Sequence, residues 1–268
     1  MTPWLKRIEL ATGVVSFVPL EEGRVLTLTR QGPLFPAARF ASPPSMTSLL
    51  PRGDTWHVKD GRQERWLLHG SRLDLGDALY VFMEYPEARN LALEAELPTS
   101  EAAAFVYADW LEEQGDPFAA AVKPELARER GPAGLWWLEG FERSTPSLQW
   151  TARAGFVREA TLRGTWMDPW QLVLFHLCTL RALVALERLT LTASALVDAP
   201  SGEPVDLDTS PAWRVLPFPS SLRRLTVERE LSPKEEASLR ATLEARGVRL
   251  EVAPAPAPQR QGGRPVKA

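Results

Sequence analysis

The sequence predicts an α+β protein in four parts: a β-sandwich over residues 1–85, a helical connector over 86–134, a short array of strand-and-helix repeats over 135–252, and a disordered tail over 253–268. Three observations predict it. Runs of β-branched residues alternate with turn signals through the first ninety positions. A helix that carries its own stop spans the stretch from Phe105 to Pro117. Three short segments of the second half align on a threonine: Arg158-Glu159-Ala160-Thr161-Leu162, Glu187-Arg188-Leu189-Thr190-Leu191 and Arg223-Arg224-Leu225-Thr226-Val227.

The first part reads as strand after strand. Residues 13–18 and 24–29 are β-branched runs separated by Glu21-Glu22-Gly23. Trp56-His57-Val58-Lys59-Asp60 alternates and ends at Asp60-Gly61, a turn signal. Arg65-Trp66-Leu67-Leu68 follows, closed by His69-Gly70, and residues 77–83 form a last apolar strand. Short strands with turns at close intervals favour a small sandwich or barrel.

The connector reads as helical. Residues 90–97 make a short helix closed by Pro98. Thr99-Ser100 offers hydroxyl caps to a second helix over 100–114, in which Ala104, Ala108 and Leu111 form one apolar stripe. Gly115 supplies the left-handed residue beyond its end and Pro117 bars continuation. A third helix is expected from Pro117, with Asp116 as its N-cap, worth about 1 kcal/mol. Tyr107 and Trp110, three residues apart, are expected to dock the second helix on its neighbour.

The run Tyr107-Ala108-Asp109-Trp110-Leu111-Glu112-Glu113-Gln114-Gly115-Asp116-Pro117 is similar to the signature of the bacterial repeat-companion family. The resemblance implies a short helical module beside leucine-rich-type repeats, and it prompts the search for repeats downstream. The three threonine-centred segments are 29 and 36 residues apart. Leu186, Leu189 and Leu191, and Leu222, Leu225 and Val227, fit a Leu-x-x-Leu-x-Leu pattern. Helical runs lie between, at 168–183 with Pro169 at its first turn, and at 232–245, opened by Ser232-Pro233 and stopped by Gly247. Residues 247–252 read as a fourth, diverged strand. A strand-plus-helix unit cannot bury its own apolar face, so units must stack. The asparagine ladder of a standard leucine-rich repeat is missing, so the expectation is a short leucine-rich-like array. The insert 194–219, rich in Pro, Ser and Asp, is expected to loop from one edge.

Residues 13–84 resemble a forkhead-associated domain. Trp56-His57-Val58-Lys59-Asp60-Gly61, His69-Gly70-Ser71-Arg72-Leu73 and Leu75-Gly76-Asp77-Ala78-Leu79 are similar to that family's Trp-x-Val-x-Asp strand, its Asn-Gly-x-x-Leu turn and its Gly-Asp turn. The resemblance implies a phosphothreonine pocket. Ser45 stands for the family's Ser, with Arg30 or Arg39 as candidates for its Arg. The sequence departs from the family at Ser48, where a His is expected, and at His69, where an Asn is expected. The candidate pocket is Arg39, Ser45, Ser48 and His69.

Composition narrows the function. Hydrophobic content of 44% and charged content of 24% are those of a soluble globular chain. A formal net charge of −3 gives no electrostatic case for nucleic acid. No apolar run reaches the roughly 18 residues of a membrane span, and no signal peptide is visible. The single cysteine, Cys178, excludes an internal disulfide and fits a reducing cytoplasm. Arginine greatly outnumbers lysine, and alanine and proline are abundant, which points to high-GC coding and a bacterial source.

No sequence pattern of a nucleophile elbow, phosphate loop, dinucleotide fingerprint or zinc helix is present. His57 and His69 have no third ligand at metal spacing. His176 and Cys178 would stand about 200° apart on a helix, a poor dyad. Asp109, Glu112, Glu113 and Asp116 form an acidic cluster read as a solvated helix face or a contact between this module and the repeats, with a divalent ion or catalytic carboxylate pair as the competing reading. The sequence therefore favours a non-enzymatic interaction or scaffold protein that uses no cofactor, binds protein partners, and takes no nucleic acid, membrane or small-molecule substrate. Arg158, Glu187, Arg188, Arg223 and Arg224 are the candidate partner-binding residues. The alternatives are a phosphothreonine-peptide reader and an enzyme built on the acidic face.

Overall fold

The computed structural model describes residues 2–29, 32–34, 47–60, 63–85, 87–123, 148–153, 155–164, 170–197, 204–208, 210 and 212–254. They form a mixed α and β fold with three sheets. The first 85 residues supply β1 (Trp4–Glu9), β2 (Val15–Pro19), β3 (Leu26–Thr29), β4 (Gly32–Leu34), β5 (Thr47–Arg52), β6 (Thr55–Asp60), β7 (Gln63–Leu67), β8 (Arg72–Asp74) and β9 (Ala78–Met83). One antiparallel sheet has the order β2-β1-β9-β8, the other β4-β3-β5-β6-β7. The strand expected at 13–18 is displaced to β2 because Gly13 turns the chain. Its φ is +73° and its N–H donates to the Glu9 carbonyl at 2.8 Å. β1 and β5 are strands that sequence patterns did not single out.

The two sheets share a core. Leu5, Leu73, Ala78, Tyr80 and Phe82 of the first meet Leu26, Leu28, Leu49, Trp56, Val58 and Leu67 of the second. Along β9 the alternate residues Leu79, Val81 and Met83 point the other way, into the core of the rest of the chain. β9 is therefore buried on both faces, which explains its unbroken apolar run.

The connector holds α1 (Leu91–Glu96), α2 (Glu101–Glu113) and α3 (Ala119–Val122). Asn90 caps α1 by accepting from the Leu93 N–H, and Ser100 caps α2 by accepting from Ala103. Gly115 takes φ +68° just past α2. Ala104, Tyr107, Ala108 and Leu111 are buried, and the Tyr107 ring stacks on Trp110 at 5.8 Å. The expected third helix is corrected: it starts at Ala119, with Phe118 at its cap and no side-chain cap bond.

The C-terminal part has β10 (Leu148–Arg153), β11 (Phe156–Leu162), β12 (Arg188–Thr192), β13 (Arg224–Glu228) and β14 (Arg249–Val252), in that spatial order. β10 is antiparallel to β11; the other neighbours are parallel. The three threonine-centred segments pair in register, Thr161 with Thr190 and Thr190 with Thr226. The strand expected at 247–252 is β14, beside β13. Ala160, Leu162, Leu189, Leu191, Leu225, Val227 and Leu250 bury one face of this sheet. They share a core with α4 (Trp170–Cys178), α5 (Ala212–Val215) and α6 (Pro233–Glu244). Ser232 and Glu235 form a capping box at the start of α6. The 168–183 helix is shorter than expected: α4 ends at Cys178 and a 3-10 turn covers Arg181–Leu183.

The insert 194–219 corrects the sequence reading. It does not simply loop outward, because Leu196, Val205, Leu207, Trp213 and Leu216 join the core. Its Pro, Ser and Asp content masks these aperiodic anchors. The tail from residue 255 lies outside the described residues.

Buried charges tie the parts together. The Lys6 ammonium on β1 donates to both carboxylate oxygens of Glu87 at 3.2 Å, and to the Thr179 carbonyl after α4. Arg181 forms a two-pronged pair with Asp116, both side chains 2% exposed. Asp116 also accepts from the Ala88 and Phe118 N–H groups at 2.9 Å each. The Arg181 guanidinium lies 4.3 Å from the centre of the Phe118 ring and donates to the Ala88 carbonyl. Arg89 grips Glu94 through two bonds of 2.7 Å, and the Tyr107 hydroxyl donates to the same carboxylate at 2.8 Å. Burial alone would push the Glu87 carboxyl up, but Lys6, Arg181 and Arg89 together hold it below its usual range. Asp116 thus leaves the acidic face the sequence suggested. It lies beyond Gly115, where the chain has left the helix, and is turned inward to Arg181.

Among the described residues, no helix is long and apolar enough to cross a membrane.

Candidate partner-binding surface

The face of the C-terminal sheet opposite its helices is polar and laid out in rows. Strand alternation puts buried aliphatics inward, so the residues between them point out. In-register pairing stacks Thr151, Glu159, Arg188, Arg224 and Arg249 in one row. The next row is Gln149, Thr161, Thr190, Thr226 and Glu251. A third, at the C-terminal end, pairs Thr192 with Glu228. Parallel strands are normally covered on both faces, so the polar outer face on these four parallel neighbours is unusual.

Ion pairs bind the rows. Arg188 meets Glu159 at 3.0 Å, and Arg224 meets Glu251 at 3.2 Å, with all four side chains 39–55% exposed. Such half-exposed pairs contribute little stability, about 0–1 kcal/mol each. At the N-terminal margin, Pro98, Thr151, Ala152, Arg153, Arg158 and Glu187 line a cavity of about 260 Å³. Arg153 pairs with Glu101, and its hydrogen bond holds the Glu101 carboxyl below the usual range.

Of the five residues proposed from sequence, Arg188 and Arg224 lie on this open face. Glu187 and Arg223 precede the strands and form its margin, where the Glu187 carbonyl accepts from the Arg223 and Arg224 N–H groups. Arg158 is a correction. Its side chain is only 12% exposed, bound to Glu187 at 3.1 Å and to the Leu97 carbonyl, so it fastens β11 to α1. Ala160 and Leu162 share its parity and point inward. Sequence reading missed Glu159, Arg249 and Glu251; the polar-apolar alternation that flags Arg188 and Arg224 also runs through β11 and β14.

Arg30, Arg39 and Ser45 lie outside the described residues. Ser48 stands on β5 between Thr27 and Lys59, on the face opposite Leu49. His69 is turned to the buried charges: its ring stacks on Tyr85 at 4.8 Å and Nδ1 accepts from the Glu84 N–H. Burial pulls its pKa down to about 4, so the imidazole is neutral. His57 sits against Trp66, with Nδ1 3.2 Å from Glu64. Asp109 and Glu112 are exposed and share Lys123. Cys178 is buried and its thiol is pushed up to about 12, leaving it inert as a nucleophile at neutral pH. Among the described residues, no group of three or more His, Cys, Asp or Glu could hold a metal ion.

No family model matches the chain, and neither a curated protein nor a solved structure matches it.

Proposed function

We propose that this chain is a non-enzymatic interaction protein whose C-terminal sheet presents its open face to a protein partner. One observation carries the reading: the in-register rows through Thr161, Thr190 and Thr226 form a polar surface on parallel strands whose other face is the core. The same rows support a short leucine-rich-like array, in which each strand adds one residue to every row. On this reading the repeat-companion run is architectural, since Tyr107 packs the connector and Asp116 locks it to Arg181. The two sheets with a shared core support a sandwich of forkhead-associated type at the N-terminus, in which His69 stacks on Tyr85 and accepts from the Glu84 N–H.

Site-specific photocrosslinking tests the function. Benzoylphenylalanine replacing Thr190 is irradiated in cells, with the same group at exposed Lys234 on α6 as control. A discrete protein adduct from position 190 and none from 234 is expected. No adduct at 190, or the same adducts from both, would reject the open face as the binding surface.

A further inference from the structure

We infer that the partner segment taken by the open face is an acidic polypeptide, with its carboxylates set against the guanidinium row Arg188–Arg224–Arg249. The inference rests on the reading of that face as a binding surface and specifies what it takes.

The register makes Arg188, Arg224 and Arg249 direct neighbours on adjacent parallel strands. Strands lie about 4.8 Å apart, and like charges placed opposite one another destabilise a sheet. Glu159 and Glu251 relieve Arg188 and Arg224. Among the described residues, Arg249 and the adjoining Arg223 have no ion pair. Arg153, on the lining of the cavity and paired with Glu101, extends the cationic margin. Five guanidinium groups, Arg153, Arg188, Arg223, Arg224 and Arg249, thus face three carboxylates, Glu101, Glu159 and Glu251, with Arg158 and Glu187 cancelling. This margin is positive on a chain whose formal net charge is −3. Glu228 stands at the opposite, C-terminal end of the face, so the charge is segregated along the strands.

The chemistry of the ligand follows. Guanidinium groups take carboxylates through paired, charge-assisted hydrogen bonds. The row from Arg188 to Arg249 spans two strand spacings, about 10 Å. An extended peptide places side chains i and i+2 on one side about 7 Å apart, so alternate acidic residues reach neighbouring guanidiniums. A nucleic acid is disfavoured, because its dense charge extends beyond the small positive margin onto an otherwise acidic chain.

Fluorescence anisotropy of the full chain with fluorescein-labelled hexaglutamate tests this, with hexaglutamine and an oligothymidylate of matched length as competing probes. Hexaglutamate is expected to bind below about 1 mM, weaken about tenfold between low and 0.5 M salt, and weaken about tenfold in the Arg188→Gln/Arg249→Gln variant. That variant's thermal melt is expected to match wild type, since both side chains are exposed. Binding no tighter than hexaglutamine, tighter binding of the oligothymidylate, or an unaffected variant overturns the inference. A Thr190 adduct alongside any of these results leaves the binding surface standing and rejects only the acidic ligand. Loss of the adduct rejects the surface itself.

Discussion

Replacing Asp116 with Asn removes one charge from the best-buried ion pair and leaves the shape of the side chain intact. In the native protein the carboxylate binds Arg181 through both oxygens and accepts from the Ala88 and Phe118 N–H groups. Both partners are 2% exposed, so water cannot substitute for the lost charge. Breaking such a buried pair by removing one partner costs about 3–5 kcal/mol. For a chain of this size each kcal/mol moves the melting point about 2–4 °C, so a fall of about 6–20 °C is expected. Urea denaturation followed by far-UV circular dichroism measures the change. Arg181→Met and the double variant complete the cycle. Each single change is expected to cost at least about 3 kcal/mol, and the double no more than the larger single, because the second change removes the remaining partner. An Asp116→Asn loss below about 1 kcal/mol, or strictly additive single effects, would refute the assignment of this pair as the clamp between the connector and the C-terminal part.

The remaining expectations concern pH, backbone and cap. His69 stays neutral in the folded chain with a pKa near about 4, against 6.5 when unfolded. In that window the unfolded chain binds the proton and the folded chain does not, so stability falls as pH drops from 6.5 toward 4, by at most about 3 kcal/mol. His176, which burial also holds well below its ordinary value, adds a loss of the same sign. His69→Gln should flatten part of this slope in urea midpoints taken between pH 7 and 4.5; an unchanged slope would clear His69 of the effect. Gly155→Ala should cost more than Gly23→Ala in thermal melts. Both have positive φ, but the new methyl at 155 meets the Val122 Cα at 2.5 Å, whereas at 23 nothing lies within 4 Å. Equal losses would show that α3 yields without cost. Ser232→Ala should lower stability by about 1 kcal/mol, read as a melting shift of a few degrees, through loss of the capping box.

Features written in neighbouring residues were legible in the sequence, and features made by distant partners were not. Ser100 with Gly115, and Ser232-Pro233 with Gly247, mark their helices because caps and stops act within one turn. The threonine rows were visible because each strand carries the same alternation. β1 escaped notice because Lys6 occupies an inward position, and its partner Glu87 is 81 residues away. β5 escaped because Pro51 and the proline-rich stretch before it suppress a strand reading. Asp116 looked like a cap since nothing local announces Arg181, 65 residues on. On the open face, Arg188 and Arg224 followed from alternation, while Arg158 shares the inward parity of Ala160 and Leu162 and finds the Leu97 carbonyl, a partner 61 residues away that no one-strand pattern announces.

β9, with Ala78, Tyr80 and Phe82 in one core and Leu79, Val81 and Met83 in the other, has a consequence for how this protein can be inherited. A boundary drawn behind it near residue 85 strips an apolar wall from the core downstream. The N-terminal sheets therefore cannot be shuffled between genes as an independent cassette. Recombination that swaps them must carry the facing surface of the connector as well, and the amides of β9, shielded on both sides, should be among the last in the chain to exchange with solvent deuterium.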